Sequence, residues 1–452
     1  MVTTRYRGNT LRSWKIGPLE SRAARVAAKN RRLLRLCVAV AALTCGAGCG
    51  DGGSVTNGDT PLASSPPAEG AETELAPGAT QDDGGVEASV DAGSLARIPA
   101  VAEPPFVGPP DLAAGVEHTC ALQAGRVRCW GGNEFHQLGD PSLRNGRGQF
   151  RAARLLVAGV TRAIALGAGA HHTCALVEGG ELRCWGHGGY GQLGDGGRDD
   201  AATPRALALP APARSVSAGD GHTCAATTDG AVYCWGRNDH GQLGDGTLTA
   251  RGTPVRVATP PGAVAVAAGR LHTCAHGESG WVACWGLNLA GQLGPRVRVA
   301  GAHRATPELV AQVSDAVGLA SGVDHTCALR RNGRIVCWGR NDHQQLRLDR
   351  MRGVPATAQL SLGEGHSCVL VPGTRLTCVG ANRRRQLGRG PAVVGAPRHI
   401  REGDLAARVA LGYRHTCLLG PGGDVRCLGE PEAGRLGAEE PSETERPAPA
   451  AP

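Results

Sequence analysis

Aromatic residues make up only 3% of the 452 positions. Any core must therefore be assembled from Val, Leu, Ala, Cys and a few Trp. Long helices are excluded by the 69 glycines, since each interior Gly costs about 1 kcal/mol against Ala. Lysine is absent after Lys29. No nucleophile elbow, no HExxH and no Gly-rich phosphate loop in a strand-to-helix setting is present. The chain therefore gives no sign of an enzyme, and no catalytic residue, cofactor or metal is assigned.

The formal charge of +8 is set by the front end. Residues 1–48 carry ten Lys and Arg against Glu20, a net +9, so the remainder sums to −1. A charge confined to a leader argues against a nucleic-acid partner. The basic stretch ends at Asn30–Arg35 and is followed by the apolar run Leu36–Leu43. That run is too short to anchor in a bilayer and reads as an export signal. Small residues then lead to Cys49, in a pattern that resembles the lipobox of bacterial lipoproteins, although Gly46 stands where Leu is usual. Residues 1–49 are expected to be a signal peptide with Cys49 lipidated, which places the protein at the cell envelope or surface. Residues 50–96 are acidic, rich in Gly, Ser, Pro and Ala, and hold no Lys or Arg. They are expected to be a disordered tether.

The rest of the chain is repetitive. "HTC" or "HSC" starts at His118, His172, His222, His272, His325, His366 and His415. Each copy is followed by a second cysteine, then "CWG" in five copies, a loop, and "QLG" or a variant of it. Repeat five has "QLR" and repeat seven "RLG", while Val379 and Leu428 replace the Trp of repeats six and seven. The HTC cysteines lie 41–54 residues apart. A period of that size signals a solenoid or a propeller. In repeat three, "ARSVSAG", "HTCAAT", "AVYCWG" and "TPVRVA" read as four short strands, with Asp229-Gly230 suited to the hairpin turn between the second and third. Four strands repeated seven times predict an all-β, seven-bladed propeller of four-stranded blades. It spans residues 97–437, with a disordered tail at 438–452. Ile98–Ala102 reads as a fourth strand that would complete the last blade and hide an edge.

The motif G…H-T-C-A-L…G-x-V-x-C-W-G-x-N-x-x-G-Q-L-G resembles the regulator-of-chromosome-condensation repeat. The resemblance implies the same seven-bladed fold and does not by itself imply a nuclear function.

The fourteen repeat cysteines come in pairs: Cys120 and Cys129, Cys174 and Cys184, Cys224 and Cys234, Cys274 and Cys284, Cys327 and Cys337, Cys368 and Cys378, Cys417 and Cys427. Each pair is symmetric about a turn, so its members would lie opposite on neighbouring strands, near disulfide reach. In an exported chain this reads as a disulfide framework, each bridge contributing about 2–3 kcal/mol. Buried thiols are one alternative. Zinc held by His118, Cys120 and Cys129 is another, although no fourth ligand recurs. The repeated His and Trp read as scaffold, because an active site is normally unique.

Function is expected where the repeats differ. Two residues before the Gln of "QLG", or before Arg435 in its place, stand Phe135, Tyr190, His240, Ala290, His343, Arg384 and Ala433. In a closed ring these circle one end, and Phe135, Tyr190, His240, His343 and Arg384 are the candidate partner-binding residues. The loop after "QLG" is rich in Arg (Arg144, Arg147, Arg151, Arg198, Arg251, Arg296, Arg298, Arg304, Arg350, Arg352) and reads as a solvated surface. Trp281 falls outside the repeating Trp position. The expected function is a monomeric, non-enzymatic propeller that binds a protein partner through an end face. A secreted-hydrolase inhibitor, like the β-lactamase-inhibiting propellers of this family, is the alternative. Guanine-nucleotide exchange, the activity of the founding member, fits less well with export, paired cysteines and an acidic extension.

Overall fold

A strand that turns back on itself through two residues places its paired positions opposite each other, and all seven cysteine pairs obey this. Cys224 faces Cys234 across the hairpin formed by His222–Thr227 and Val232–Gly236, and the other six pairs hold the same register. In the computed structural model, which describes residues 109, 111–294 and 303–437, each pair is joined as a disulfide. At the Asp229-Gly230 turn, Gly230 has φ 79°. A Cβ there would stand 2.7 Å from the Cα of Gly262. The Asp229 carboxylate accepts the N–H of Ala231 at 3.2 Å and so closes the turn.

The described residues belong to one unit, Arg97–Pro452. They form seven antiparallel sheets, one per repeat, each laid down in chain order from the channel outward. The third is typical: Ala213–Ala218, His222–Thr227, Val232–Gly236 and Arg251–Val257. Blades one to four and blade six have four strands. Blade five has three, Ala316–Ser321, His325–Arg330 and Ile335–Gly339, followed by a 3₁₀ helix, Gln345–Arg350. Blade seven shows three described strands, Arg408–Leu411, His415–Leu419 and Val425–Gly429. The leader, Cys49, the tether, Ile98–Ala102, Arg296, Arg298 and the tail lie outside the described residues. Among the described residues no helix is long and apolar enough to cross a membrane.

The ring closes on itself. The first strand of each blade ends near a glycine: Gly115, Gly169, Gly219, Gly269, Gly322, Gly363 and Gly412. A Cβ on any of them would lie 2.3–2.6 Å from the carbonyl oxygen of the next one round the ring, and Gly412 meets Gly115. Each repeat His reaches the Thr or Ser of the following blade through Nε2 at 2.8–3.1 Å, and His415 reaches Thr119. Thr223 and Thr273 donate their hydroxyls to the carbonyls of Gln192 and Gln242. His172 and His222 must therefore be the donors to them, which leaves Nδ1 without a proton.

The five repeat tryptophans lie between blades. Trp185, Trp235, Trp285 and Trp338 each donate Nε1–H to the carbonyl of the preceding blade's Gln at 2.8–3.0 Å. Trp130 does the same to Arg435 across the closure. Buried cysteines, leucines, valines and alanines fill the rest of the core.

Burial pushes the repeat histidines far below their ordinary pKa: His118, His222, His325 and His415 to about 3, and His272 and His366 to about 4. His172 is also lowered by burial. The folded state thus keeps them neutral, while an unfolded chain protonates them near 6.5. Their contribution is whole above about pH 6.5. It falls as the pH drops towards 4 to 3, by up to about 1.4 kcal/mol per pH unit for each histidine. Urea midpoints of the oxidised protein should be flat from pH 8 to 7 and drop steeply below pH 6. Unfolding near pH 5.5 should take up about six protons from this ring. A midpoint unchanged between pH 7 and 5 would contradict the buried neutral ring. Intact mass under non-reducing conditions should show the fourteen repeat cysteines oxidised and inert to alkylation. Fourteen free thiols or stoichiometric zinc would overturn the framework.

Candidate binding face

Strand direction places two sets of segments at one end of the propeller: the short turn before each HTC, and the long loop from CWG to QLG. The second set carries the variable residues. In repeats one to six these loops are pinned from inside by a buried Gln. Gln137, Gln192, Gln242, Gln345 and Gln386 accept the backbone N–H of Phe135, Tyr190, His240, His343 and Arg384 at 2.8–3.0 Å. An Asn at the head of the loop accepts a Leu N–H, as Asn238 does from Leu243 at 3.0 Å. The backbone is therefore fixed while the side chain above it is free to vary.

Phe135 and Tyr190 share one patch. The Phe135 ring centroid lies 5.0 Å from that of His171 and 4.5 Å from that of His187, and His187 meets Tyr190 edge-on at 5.8 Å. Arg237 of blade three lies over the Tyr190 ring at 5.2 Å and is itself held by Asp239 at 2.7 Å and Asp220 at 3.3 Å. Phe135 is half-buried and Tyr190 is 41% exposed. Burial lowers the pKa of His171, and the nearby carboxylates of Asp220 and Glu117 partly oppose the shift.

His240 adjoins that patch, 3.8 Å from the Asp239 carboxylate that holds Arg237 over Tyr190. The other two candidates belong to blades five and six. His343 rests against Gly365, where a Cβ would come within 2.7 Å of its ring. Arg384 pairs with the buried Glu430 at 2.8 Å. The sequence reading missed His171 and His187, which flank the repeat motifs one residue before HTC and one residue after CWG. Both positions change from repeat to repeat, and that variation was the available signal.

The same end holds the mouth of the central channel, a cavity of about 430 Å³ lined by all seven blades, with His171, Asp220, Arg270, Glu364 and Tyr413 at its rim. His171 thus belongs to both the patch and the mouth. Among the described residues no group of three or more His, Cys, Asp or Glu is placed to hold a metal. Within the arginine-rich loops, Arg251 and Arg304 are paired with Asp245 and Glu308 at 3.0 Å. Trp281 packs in its own hairpin, over Gly277, and donates to the carbonyl of Pro261 at 3.1 Å.

Residues 70–355 match the RCC1-like domain. The chain belongs to the RCC1-like domain family. Its propeller superposes on yeast RCC1 (Prp20), solved with Kap60, with a TM-score of 0.60 and 22% identity over 73% of this chain and 81% of that one. Human WBSCR16 gives 0.58 and 19%, over 71% and 86%. At these identities the likeness is one of fold. A stretch of 101 residues, 21% of this chain, is 34% identical to the human E3 ubiquitin-protein ligase HERC2 but spans 2% of that protein. The ultraviolet-B receptor UVR8 of Arabidopsis thaliana is 36% identical over 102 residues, 21% of each chain.

If the glutamines fix the face, Gln192→Ala should orphan the Tyr190 N–H and cost about 1–3 kcal/mol. Hydrogen exchange at Tyr190 should rise with it. Unchanged exchange there would show that Gln192 does not hold the loop.

Proposed function

We propose that this RCC1-like propeller is a non-enzymatic protein-binding module, held at the cell envelope through a lipidated Cys49, that engages its partner with the loop face. The observation that carries the reading is the Phe135–His187–Tyr190 cluster. It is a partly exposed aromatic patch on a rigid frame, beside the channel mouth. Aromatic anchors of this kind supply much of the energy of protein interfaces and lose little entropy when they bind. The seven disulfides fit an oxidising compartment. The histidines that could suggest chemistry are bonded into the frame. Inhibition of a secreted hydrolase would use the same patch as its wedge, and it differs only in the partner's identity.

The test is capture from an envelope extract. Phe135→Ala and Tyr190→Ala should each weaken the captured interaction by about 2 kcal/mol, roughly thirtyfold. Arg126→Ala, in the hairpin at the opposite end, should leave it unchanged. Retention of the partner by the double variant would remove the loop face from consideration. A captured hydrolase that loses activity on binding would select the inhibitor reading.

A further inference from the structure

Blade five departs from the others in strand count, and it shares with blade six a second departure, in charge. The first is a missing strand. In blades one, two, three, four and six, the second cysteine of the hairpin lies opposite a fourth-strand residue: Leu155, Arg205, Val255, Glu308 and Arg398. Cys337 has no such neighbour. It faces Cys327 with their Cα atoms 4.1 Å apart, the close spacing of a non-hydrogen-bonded pair. Its N–H and C=O therefore point outward, and they have no backbone partner among the described residues. Cys337 is half-buried, whereas the equivalent cysteine in those five blades is fully buried. The helix Gln345–Arg350 sends Leu348 into the core instead of extending the sheet, and the chain returns to the hairpin end with Val354 N–H on the Gly333 carbonyl. Ile335–Gly339 is thus a sheet edge with no fourth strand; the helix Gln345–Arg350 packs against it, and its unpaired backbone at Cys337 is a template for another strand.

The second departure is charge. Between Arg330 and Arg401, which covers most of blades five and six, the chain carries fourteen arginines against three acids, Asp342, Asp349 and Glu364. Over the rest of residues 97–437 arginines and acids balance at twenty-three each. The whole net charge of the propeller therefore sits in one sector. Arg330, Arg340 and Arg384 are engaged in ion pairs. The exposed Arg331, Arg334, Arg350, Arg352 and Arg401 meet no carboxylate among the described residues. Arg331 and Arg334 flank this edge at its hairpin end, Arg350 ends the helix that comes after the third strand, and Arg352 follows it.

We propose that this edge binds an extended acidic segment of another protein by strand addition, with the arginines of blades five and six pairing with its carboxylates. The edge and the charge select together. Only a polypeptide backbone offers the alternating donors and acceptors that an unpaired strand accepts. The uncompensated guanidinium groups favour acidic side chains along it. The surface is distinct from the aromatic patch on the loop face and does not depend on it.

The probe is a fluorescent ten-residue peptide of alternating Glu and Val, titrated into the full-length protein and followed by anisotropy. It should bind, and the Lys-Val counterpart should not. N-methylation of alternate residues keeps the charge but removes edge hydrogen bonds, and it should weaken binding at least tenfold. R331E/R334E and R350E/R352E should each do the same without changing the melting temperature, since these side chains are exposed. Hydrogen exchange at the Cys337 amide should slow when the peptide is bound. The proposal is overturned if the peptide does not bind, or if the N-methylated peptide binds equally well. Equal affinity for single-stranded DNA of the same charge would also overturn it, by reducing the sector to a polyanion surface.

Discussion

Seven glycines meet carbonyl to α-carbon at the axis of the propeller, too close for any side chain. The place of each missing Cβ is taken by the next blade's carbonyl oxygen and by the imidazole of the glycine's own blade. That contact sets the distance between neighbouring blades, and the rest of the interface follows from it. The imidazole lies over the glycine and its Nε2 reaches the next blade's Thr. That Thr hydroxyl donates to the Gln192 carbonyl, which also accepts the indole N–H of Trp235. Gln242 serves Thr273 and Trp285 in the same way. In these two seams one backbone oxygen therefore ties the crowded axis to the wide outer packing. Its owner's side chain pins the loop above it, so the binding face inherits its rigidity from the channel.

Where the repeat breaks down, the contacts are replaced in kind. Repeat seven has Arg435 instead of Gln. Its guanidinium donates to Glu430 at 2.8 Å and to Glu117 of blade one at 2.9 Å, while its carbonyl still accepts Trp130. At this position the closing seam is thus ionic, whereas the Gln side chains that stand there in the other repeats make neutral hydrogen bonds. Burying Glu430 at 3% exposure would be costly with one partner. It is surrounded by three, Arg384, Arg414 and Arg435, drawn from blades six and seven.

The frame was legible because the physics that builds it recurs. Seven pairs of cysteines symmetric about a turn can only be cross-strand neighbours, and a His repeated seven times cannot be a unique catalyst. The aromatic patch was half legible. Phe135 and Tyr190 stand out by position, but His171 and His187 join them only once adjacent blades are brought into register. The missing strand of blade five had a signal that went unread. Cys327 and Cys368 are 41 residues apart, against 49–54 for the other consecutive pairs. The deficit is about the length of a strand and its turn. A four-strand template applied to every repeat absorbed that deficit into loop variation.

The near-zero charge of the chain beyond the leader misled for a related reason. Net charge is an average over surfaces that face different ways, and the acidic stretch at residues 50–96 offsets the arginines of blades five and six in the sum. Screening in solution acts over about 8–10 Å, which is short compared with a ring of seven blades. A partner approaching blade five therefore meets the local sector and not the total. In a repeat protein the local deviation carries the information, in charge as in strand count. Here the missing strand and about half of the arginine excess fall on the same blade.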